Sequence, residues 1–358
     1  MSSYLLIEVL KLLNNKGFIS LVAVFVTTIV LIIAITIINL SHMSFLTTNA
    51  SINGKQAFYL AEGKIHLCMY KDEYFENEVI PRLKHYLLYG DLKNYKEGSI
   101  INLKSKDLND EDSYNKVNIE FFEEDSRLKA KLITYSRYKG IYEKLVGVFN
   151  MINSFYEIEL PILSVDSIPA EEVLNFQLFC NELVENIEIN NNITDVVPIE
   201  GLDFDKIILE EDTELNDYMA YIFKNGKLEP YKKVPIINNN LFLILRQNNS
   251  LKSNLEIKGL SSNEPLNGIV YVQGDIVLYD NVNFCGIIII EGGTISIKGE
   301  GKPKVDGLII LKDYKGNISL LDGLIDKDYS EEQVYRYGPL LPNFVEPDLY
   351  LMKDFSEY

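Results

Sequence analysis

The chain has 358 residues, enough for more than one domain with a sizeable core. It carries 34 Lys and Arg against 52 Asp and Glu, a formal net charge of −18. This balance argues against a nucleic-acid partner, because binding to phosphates requires a basic surface that displaces counterions.

The first predicted element is a long apolar helix. Residues 18–40, FISLVAVFVTTIVLIIAITIINL, contain no charged side chain, and no Asp, Glu, Lys or Arg occurs between Gly17 and Lys55. A helix of about 23 residues spans the ~30 Å hydrocarbon core of a bilayer. The apolar region of a secretory signal peptide is shorter and ends at a small-x-small site. An ordinary signal anchor, held by Lys11 and Lys16 on the cytoplasmic side, stays open as an alternative.

Two short motifs flank this apolar span. Lys16-Gly17-Phe18 precedes it and resembles the processing site of type IV prepilins, where a membrane-embedded aspartyl peptidase cuts after the glycine. The resemblance implies that residues 1–17 are a leader and that the mature chain starts at Phe18. Ala57-Phe58-Tyr59-Leu60-Ala61-Glu62 follows the span and is similar to the AFYLAEAG signature of PilX-type minor pilins.

This resemblance covers about the first 70 residues. It implies a set of partners made up of other pilins and minor pilins, the prepilin peptidase and the membrane. The abundance of Ile, Asn, Lys and Tyr, with no Trp, is typical of an AT-rich, low-GC bacterial genome.

One position departs from the family pattern. Major pilins carry Glu at the fifth residue of the mature chain, where it pairs with the α-amine of a neighbouring subunit, whereas this chain has Val22. A subunit without this carboxylate does not offer the usual lateral partner in the membrane. Minor pseudopilins at a filament tip also lack it, so the resemblance implies a tip or assembly-initiation role.

The helix is predicted to continue as an amphipathic half over residues 41–70. Apolar residues recur there at helical spacing and form one stripe that we expect to pack on the exported body. The stripe comprises Leu46, Ala50, Ala57, Ala61, Ile65 and Cys68. Asn53-Gly54 is a dipeptide typical of turns and predicts a kink or local unwinding.

Residues 71–153 predict an α+β head resembling that of pilins. The part up to about Lys106, interrupted by Pro81 and Gly90, favours a short helix with loops. Three strands follow, at 117–122, 128–137 and 141–151. Tyr138-Lys139-Gly140 predicts a hairpin between the last two strands, and thus an antiparallel sheet.

Residues 154–265 predict a β-rich connecting region. Short apolar runs at 173–180 and 241–245 are interpreted as strands separated by Pro and Asn loops. Carboxylates at Glu210, Glu211 and Asp212 neither complete a calcium-loop pattern nor indicate acid/base chemistry.

Residues 266–328 contain an internal repeat. Three units begin at Gly268, Gly286 and Gly307, at spacings of about 18 and 21 residues, which favours rungs of a parallel β-solenoid. An antiparallel sheet of hairpins stays open as the alternative. The second strand of each unit alternates, which predicts two inward columns: Ile276, Ile295 and Ile318, and Leu278, Ile297 and Leu320.

The first strand of each repeat unit is apolar at nearly every position, at 269–272, 287–290 and 308–311. Such runs are expected where both faces of a sheet are covered. We therefore predict that another part of the chain overlies these strands, with the tail, residues 329–358, as the candidate cover and edge cap.

Little in the sequence favours catalysis. Asp275, Asp280 and Glu291 are candidate acids if the solenoid is a polysaccharide-degrading enzyme, but three rungs make a poor groove. His42, His66 and His85 lie in or near the N-terminal helix, away from the repeat, and no recognisable catalytic, nucleotide-binding or metal-ligand motif occurs. We expect no enzyme activity, no cofactor and no metal. The three cysteines, Cys68, Cys180 and Cys285, are expected to be small buried apolar residues rather than a disulfide framework.

The predicted fold class is α+β, with a long N-terminal transmembrane helix, an antiparallel β head and a C-terminal parallel β-solenoid-like domain. The resemblance implies a minor pilin or pseudopilin-like subunit, a single-pass protein of the cytoplasmic membrane with an exported body, placed at the pilus tip on the cell surface. The alternative is an unprocessed single-pass surface protein whose solenoid binds a ligand.

Overall fold

The computed structural model describes residues 2–108, 114–124, 127–189, 196–201, 206–212, 217–224, 227, 229–247, 253–260 and 264–354. The helices are α1 (Ser2–Tyr70), α2 (Asp72–Tyr74), α3 (Ile80–Tyr89), α4 (Val173–Asn186), α5 (Ile318–Leu324) and α6 (Glu331–Tyr337). The first strands are β1 (Ile100–Asn102), β2 (Lys116–Glu124), β3 (Arg127–Tyr138), β4 (Ile141–Ile152), β5 (Ile162–Leu163), β6 (Val197–Gly201), β7 (Lys206–Glu211), β8 (Tyr218–Phe223) and β9 (Lys232–Pro235). The later strands are β10 (Asn240–Leu245), β11 (Ser253–Ile257), β12 (Leu266–Tyr279), β13 (Asn283–Glu291), β14 (Ile295–Lys298), β15 (Lys304–Lys312), β16 (Asp326–Asp328) and β17 (Val345–Asp354). The protein is therefore mixed α+β.

Helix α1 is a single continuous element of 69 residues. At 1.5 Å per residue it is about 100 Å long. It passes through Asn53 and Gly54 without interruption, so the predicted unwinding at this dipeptide is wrong. A glycine costs about 1 kcal/mol in a helix interior, which is small beside the burial that α1 gains in its next turns.

A short helical segment follows α1, as predicted. One π-helical turn, Phe75–Val79, connects α2 to α3. Pro81 lies in the first turn of α3, directly after the π-helical turn. Gly90 ends α3 in the left-handed conformation with φ 76°.

The head sheet is antiparallel, with the strand order β1-β2-β3-β4-β17. All three strands predicted for it are present. Lys139 and Gly140 both have positive φ between β3 and β4, the conformation of a tight two-residue hairpin turn. The fifth strand, β17, comes from the C-terminal tail and pairs with β4. The tail thus completes this sheet, a role that local pattern does not reveal.

The other sheet system consists of two ladders of parallel strands, extended by the antiparallel strands β8 and β9 next to β7. In the first ladder, β10 pairs with β6 and β12, β12 with β13, and β13 with β15. In the second ladder, β11 pairs with β7 and with the later part of β12, which also pairs with β14. All these pairs are parallel, so the antiparallel hairpin alternative for the repeat is wrong. The parallel pairing also includes β6, from Val197, well before the predicted repeat boundary at residue 266.

The repeat glycines stack in register in the first ladder. Gly268 lies opposite Gly286, and Gly286 lies opposite Gly307. Each has φ between 127° and 146°. A Cβ on Gly286 would lie 1.9 Å from the carbonyl oxygen of Gly268, and one on Gly307 would lie 2.0 Å from that of Gly286. The repeat therefore requires glycine both for backbone conformation and for the close approach of one strand to the next.

The predicted inward columns are correct for two units and wrong for the third. Ile276 pairs with Ile295, and Leu278 with Ile297. Ile318 and Leu320 instead lie in α5, and Leu320 is 61% exposed. The side chain of Asn317 accepts a hydrogen bond from the Ser319 N–H, and this N-cap starts a helix where the alternation predicted a strand.

The strand predicted at 173–180 is also wrong, because these residues belong to α4. The buried residues of α4 recur at helical spacing well beyond the predicted window. They are Phe176, Phe179, Cys180, Leu183 and Val184. Eight residues are too few to distinguish the 3.6-residue repeat of a helix from the two-residue repeat of a strand.

The first ladder is covered on both faces, as predicted. Along β12, Ile269 and Tyr271 face one hydrophobic core, while Val270 and Val272 face another. The first core also contains buried residues of α4 and of the tail, including Val334 on α6. The tail is therefore part of the cover, and α4 supplies another part that the sequence did not indicate.

The prediction that the tail caps the exposed edge of the ladder is wrong, because the strands at that edge come from elsewhere in the chain. The far edge of β15 pairs with two short strands, β16 and β5. Strand β16 precedes the tail, and β5 lies far away in the sequence. The same core that covers the ladder includes residues of α1 and of the head sheet. Residues of α1, the head sheet and one face of the first ladder thus pack into one hydrophobic core.

Candidate functional site: helix α1 and its docking on the head

The first part of α1 exposes an unbroken apolar surface. Every described large apolar residue from Ile19 to Leu46 is exposed. The segment 19–70 contains a window with mean hydropathy 3.1, none of it buried. Burial of one such side chain stabilises by ~1.5–3 kcal/mol, so leaving this surface in water costs on the order of tens of kcal/mol. The helix is long and apolar enough to cross a membrane, and the same properties fit a signal sequence.

The threonines of this apolar segment satisfy their own hydroxyl groups. Thr27 donates to the Ala23 carbonyl at 2.7 Å, and Thr28 and Thr36 donate to the carbonyls four residues earlier, both at 2.8 Å. Hydroxyl groups bonded within the helix need no water. These polar residues are therefore compatible with a lipid environment.

Gly17, Phe18 and Val22 all lie within α1. The Phe18 side chain falls outside the described set, and the role of Gly17 and Phe18 as a processing site stays a prediction. Val22 is exposed, and no Asp, Glu, Lys or Arg occurs near it in the sequence. Its predicted meaning for the position in a filament also stays a prediction.

The motif Ala57–Glu62 lies where α1 reaches the head. Ala57 and Ala61 are fully buried, while Tyr59 is exposed. Phe58 is half-buried and packs on the head core, and Leu60 and Glu62 are half-buried. The two small residues let the helix backbone approach the sheet closely, and the motif residues thus divide between a docked face and a solvent face.

The predicted stripe docks in its second half only. Ala57, Ala61, Ile65 and Cys68 are fully buried. Leu46, 49% exposed, and Ala50, also exposed, make no such contact. The prediction that these two earlier residues pack on the body is wrong, because the head extends down the helix only to about residue 54. We call residues 57–70 the docking half of α1.

A buried lysine ties the docking half to the head. Lys64 is fully buried. Its Nζ donates to the carbonyl of Tyr114 at 2.8 Å and to that of Tyr135 at 2.9 Å. The Ser136 hydroxyl donates to the Ala57 carbonyl. Sequence analysis missed Lys64, although its spacing from Ala57, Ala61 and Cys68 places it on the buried face.

Gly147 on β4 makes room for the helix. A Cβ at this position would lie 3.0 Å from Cγ2 of Ile65 and 3.2 Å from Cδ1 of Leu349. Helix α1 and the tail strand β17 therefore meet over this glycine. Docking of α1 and pairing of the tail depend on the same point of the sheet.

The three cysteines are free thiols. Cys68 and Cys180 are buried as predicted, whereas Cys285 is partly exposed. Burial raises the pKa of Cys68 and of Cys180 to about 12. Burial also raises the pKa of Cys285. Since the thiolate is the reactive form, none of the three has the environment of a nucleophile.

The candidate acids on the ladders serve structural contacts. Asp275 accepts from the Thr294 N–H and hydroxyl, both at 2.8 Å. Asp280 accepts from the N–H groups of Gly301 and Glu300, and these bonds lower the pKa of its carboxyl.

Glu291 accepts from the Tyr271 hydroxyl at 2.6 Å and pairs with Lys312 at 2.7 Å. Glu210, one of the acids considered for calcium, pairs with Lys258. Within the described ranges, no group of three or more His, Cys, Asp or Glu is placed to hold a metal ion.

The histidines lie outside any such arrangement. His42 is exposed on α1. The His66 ring stacks on Tyr70 with centroids 5.4 Å apart, and the His85 ring contacts Tyr89 at 4.5 Å. All three remain in the N-terminal part of the fold, distant in sequence from the ladders.

Comparison with protein-family models, with curated proteins and with solved structures gives no match in any of the three.

Proposed function

We propose that this protein is a membrane-anchored, non-catalytic minor pilin or pseudopilin-like subunit of a type IV pilus system. The observation that carries the proposal is the division of α1, a single helix with an exposed apolar first part and a docking half buried in an antiparallel head sheet. Such a helix joins a membrane or filament at one end and a displayed body at the other. The resemblance of Gly17-Phe18 to a prepilin processing site supports the same assignment.

The dimensions of α1 support an anchor of this kind. Residues 18–54 carry no Asp, Glu, Lys or Arg and measure about 55 Å as a helix. A bilayer with its headgroups is about 40–45 Å thick. In this proposal the head begins just outside the membrane surface, on the exported side.

A tip or assembly-initiation position is part of the proposal. Val22 offers no carboxylate to a neighbouring subunit, and burying an unpaired charge in lipid is costly. A subunit without this charge fits a position with no subunit above it. Labelled copies distributed along a filament shaft would contradict the tip position but not the role of α1 as a membrane anchor.

We propose further that the two parallel ladders are rungs of a β-solenoid-like module that displays the exported surface. The stacked glycines Gly268, Gly286 and Gly307, in register from strand to strand, support this. The structural hydrogen bonds of Asp275, Asp280 and Glu291 favour display over catalysis.

Processing of the leader tests the proposal against an unprocessed surface protein. Co-expression with a prepilin peptidase should shorten the chain by about 17 residues, as the resemblance to prepilins implies and intact mass would show. Gly17→Val should block the cut. Gly63→Ala is a matched control, since a Cβ at Gly63 meets no atom within 4 Å, and it should be processed normally. A chain that stays full-length with active peptidase would reject the pilin assignment and favour the single-pass alternative.

A further inference from the structure

The end of the head farthest from the membrane can be located from two contacts. Ser136 on β3 bonds to Ala57 of α1, and Gly147, which pairs with Leu132, lies against Ile65. Eight residues of helix and four of strand both span about 12–13 Å. Strand β3 therefore runs back along α1, and its first residue, Arg127, lies at the membrane-distal end.

A cleft of about 530 Å³ opens at this distal end. It lies between the ends of β3, β4 and β17 and one face of α4, and we call it the distal cleft. Phe155 and Phe179 are buried in its wall. Leu178 on α4 also lines it and is 54% exposed, and Leu174, one helical turn earlier, is 66% exposed. An apolar ridge on α4 is thus open to solvent beside the cleft.

The lining of the distal cleft is strongly acidic. Arg127 is its one basic residue among the described residues that line it. Its carboxylates are Glu157, Glu172, Glu182, Glu346 and Asp348. The potential inside the cleft is therefore negative and favours a cationic ligand.

Four of these carboxylates are held by neutral donors. Asn175 donates to Glu172 at 3.0 Å, and Asn343 donates to Glu182 at 2.8 Å. The Tyr335 hydroxyl donates to Glu157 at 3.3 Å, and Asn153 donates to Glu346. Within the described part of the chain, no Lys or Arg forms an ion pair with any of the four. The amides and the hydroxyl orient these four carboxylates, and Glu157 also experiences the positive charges of Arg127 and Lys129.

We infer that the distal cleft and the Leu174–Leu178 ridge dock a basic segment of a partner protein, with Lys or Arg side chains in the cleft and an apolar side chain on the ridge. Charge complementarity selects the cations, and the exposed leucines favour a peptide over a small cation. This inference rests on the proposed function in one respect only, the location of the cleft on the exported side of the membrane.

Fluorescence anisotropy tests this docking. The probe is a fluorescein-labelled nonapeptide of alternating Lys and Gly with a central Leu, titrated with the full chain in zwitterionic nanodiscs against empty nanodiscs. The chain should bind it saturably and should not bind the same peptide with Glu in place of Lys. Glu172→Gln with Glu182→Gln should weaken binding about 2- to 30-fold, the range for two exposed ion pairs.

Glu185→Gln with Glu188→Gln is the matched control. It removes the same charge from Glu185, in the last turn of α4, and from Glu188, just beyond the helix. Neither residue lines the cleft, and binding should stay within about twofold. Leu178→Ser should also weaken binding. Absence of saturable binding, or equal loss in the two double variants, would overturn the inference. Neither result bears on leader processing, so the two proposals fail separately.

Discussion

Replacement of Ile65 by Ala should destabilise the protein by uncoupling α1 from the head. Ile65 is fully buried, and its Cγ2 and Cδ1 lie against Gly147, where a Cβ would come within 3.0–3.3 Å of them. Removing three buried carbons and leaving a cavity costs about 2–5 kcal/mol. With a urea m-value on the order of 3 kcal/mol/M, a cost near 3 kcal/mol shifts the midpoint by roughly 1 M.

Tyrosine fluorescence can follow this unfolding, because the chain has 23 Tyr and no Trp. Ile52→Ala is the matched control, since Ile52 lies on the same helix and is exposed. Its effect should stay within about 0.5 kcal/mol. Equal midpoint shifts for the two variants, measured in the same detergent, would refute the division of α1 into an exposed part and a docking half.

Three further variants test other contacts. Lys64→Met removes the donor to two buried carbonyls and should cost about 2–5 kcal/mol in urea unfolding, whereas Met at the exposed Lys55 should cost little. Gly286→Ala forces a Cβ to within 1.9 Å of the Gly268 carbonyl oxygen and should cost more than about 2 kcal/mol, against a small gain for Gly63→Ala. Burial raises the pKa of Glu157 above its ordinary value of 4.5, against an opposing effect of Arg127, so the native state binds the proton more tightly. The free energy of unfolding should therefore fall as pH rises from the ordinary pKa of Glu157, which applies in the unfolded chain, to its raised pKa in the native protein. Glu157→Gln should flatten this pH dependence. An unchanged urea midpoint for Lys64→Met or Gly286→Ala, or an unchanged pH dependence of stability for Glu157→Gln, would contradict the corresponding contact.

Local patterns predicted the elements whose partners are near in sequence. The strands around Lys139-Gly140 form a hairpin, and a hairpin is specified by its own turn residues. The repeat glycines were predictable because each begins a similar apolar run, at spacings of about 18 and 21 residues, and the strands pair with these glycines in register. The apolar span of α1 is predictable from its composition alone.

Contacts between distant segments were not predictable in this way. Strand β17 pairs with β4, which lies almost two hundred residues earlier in the chain. Nothing in the sequence of β17 itself identifies β4 as its partner. Lys64 is buried because two carbonyls from the head meet it, and a lysine in an amphipathic helix ordinarily faces water. The distal cleft likewise assembles residues from four separate segments of the chain.

Two segments that the sequence predicted as strands form helices, because each apolar pattern was too short to distinguish the two. Residues 173–180 suit either a strand or a helix, and the buried face continuing to Leu183 and Val184 decides for the helix. Ile318 and Leu320 alternate like a strand, but the N-cap at Asn317 favours a helix.

The most direct test of the central claim is the N-terminal residue of the protein in its native setting. Filaments sheared from producing cells, and the membranes left behind, should both be analysed by mass spectrometry of the N-terminal peptide. We predict a mature chain that starts at Phe18. A chain that retains Met1 in both fractions would contradict the account of α1 as a processed pilin helix.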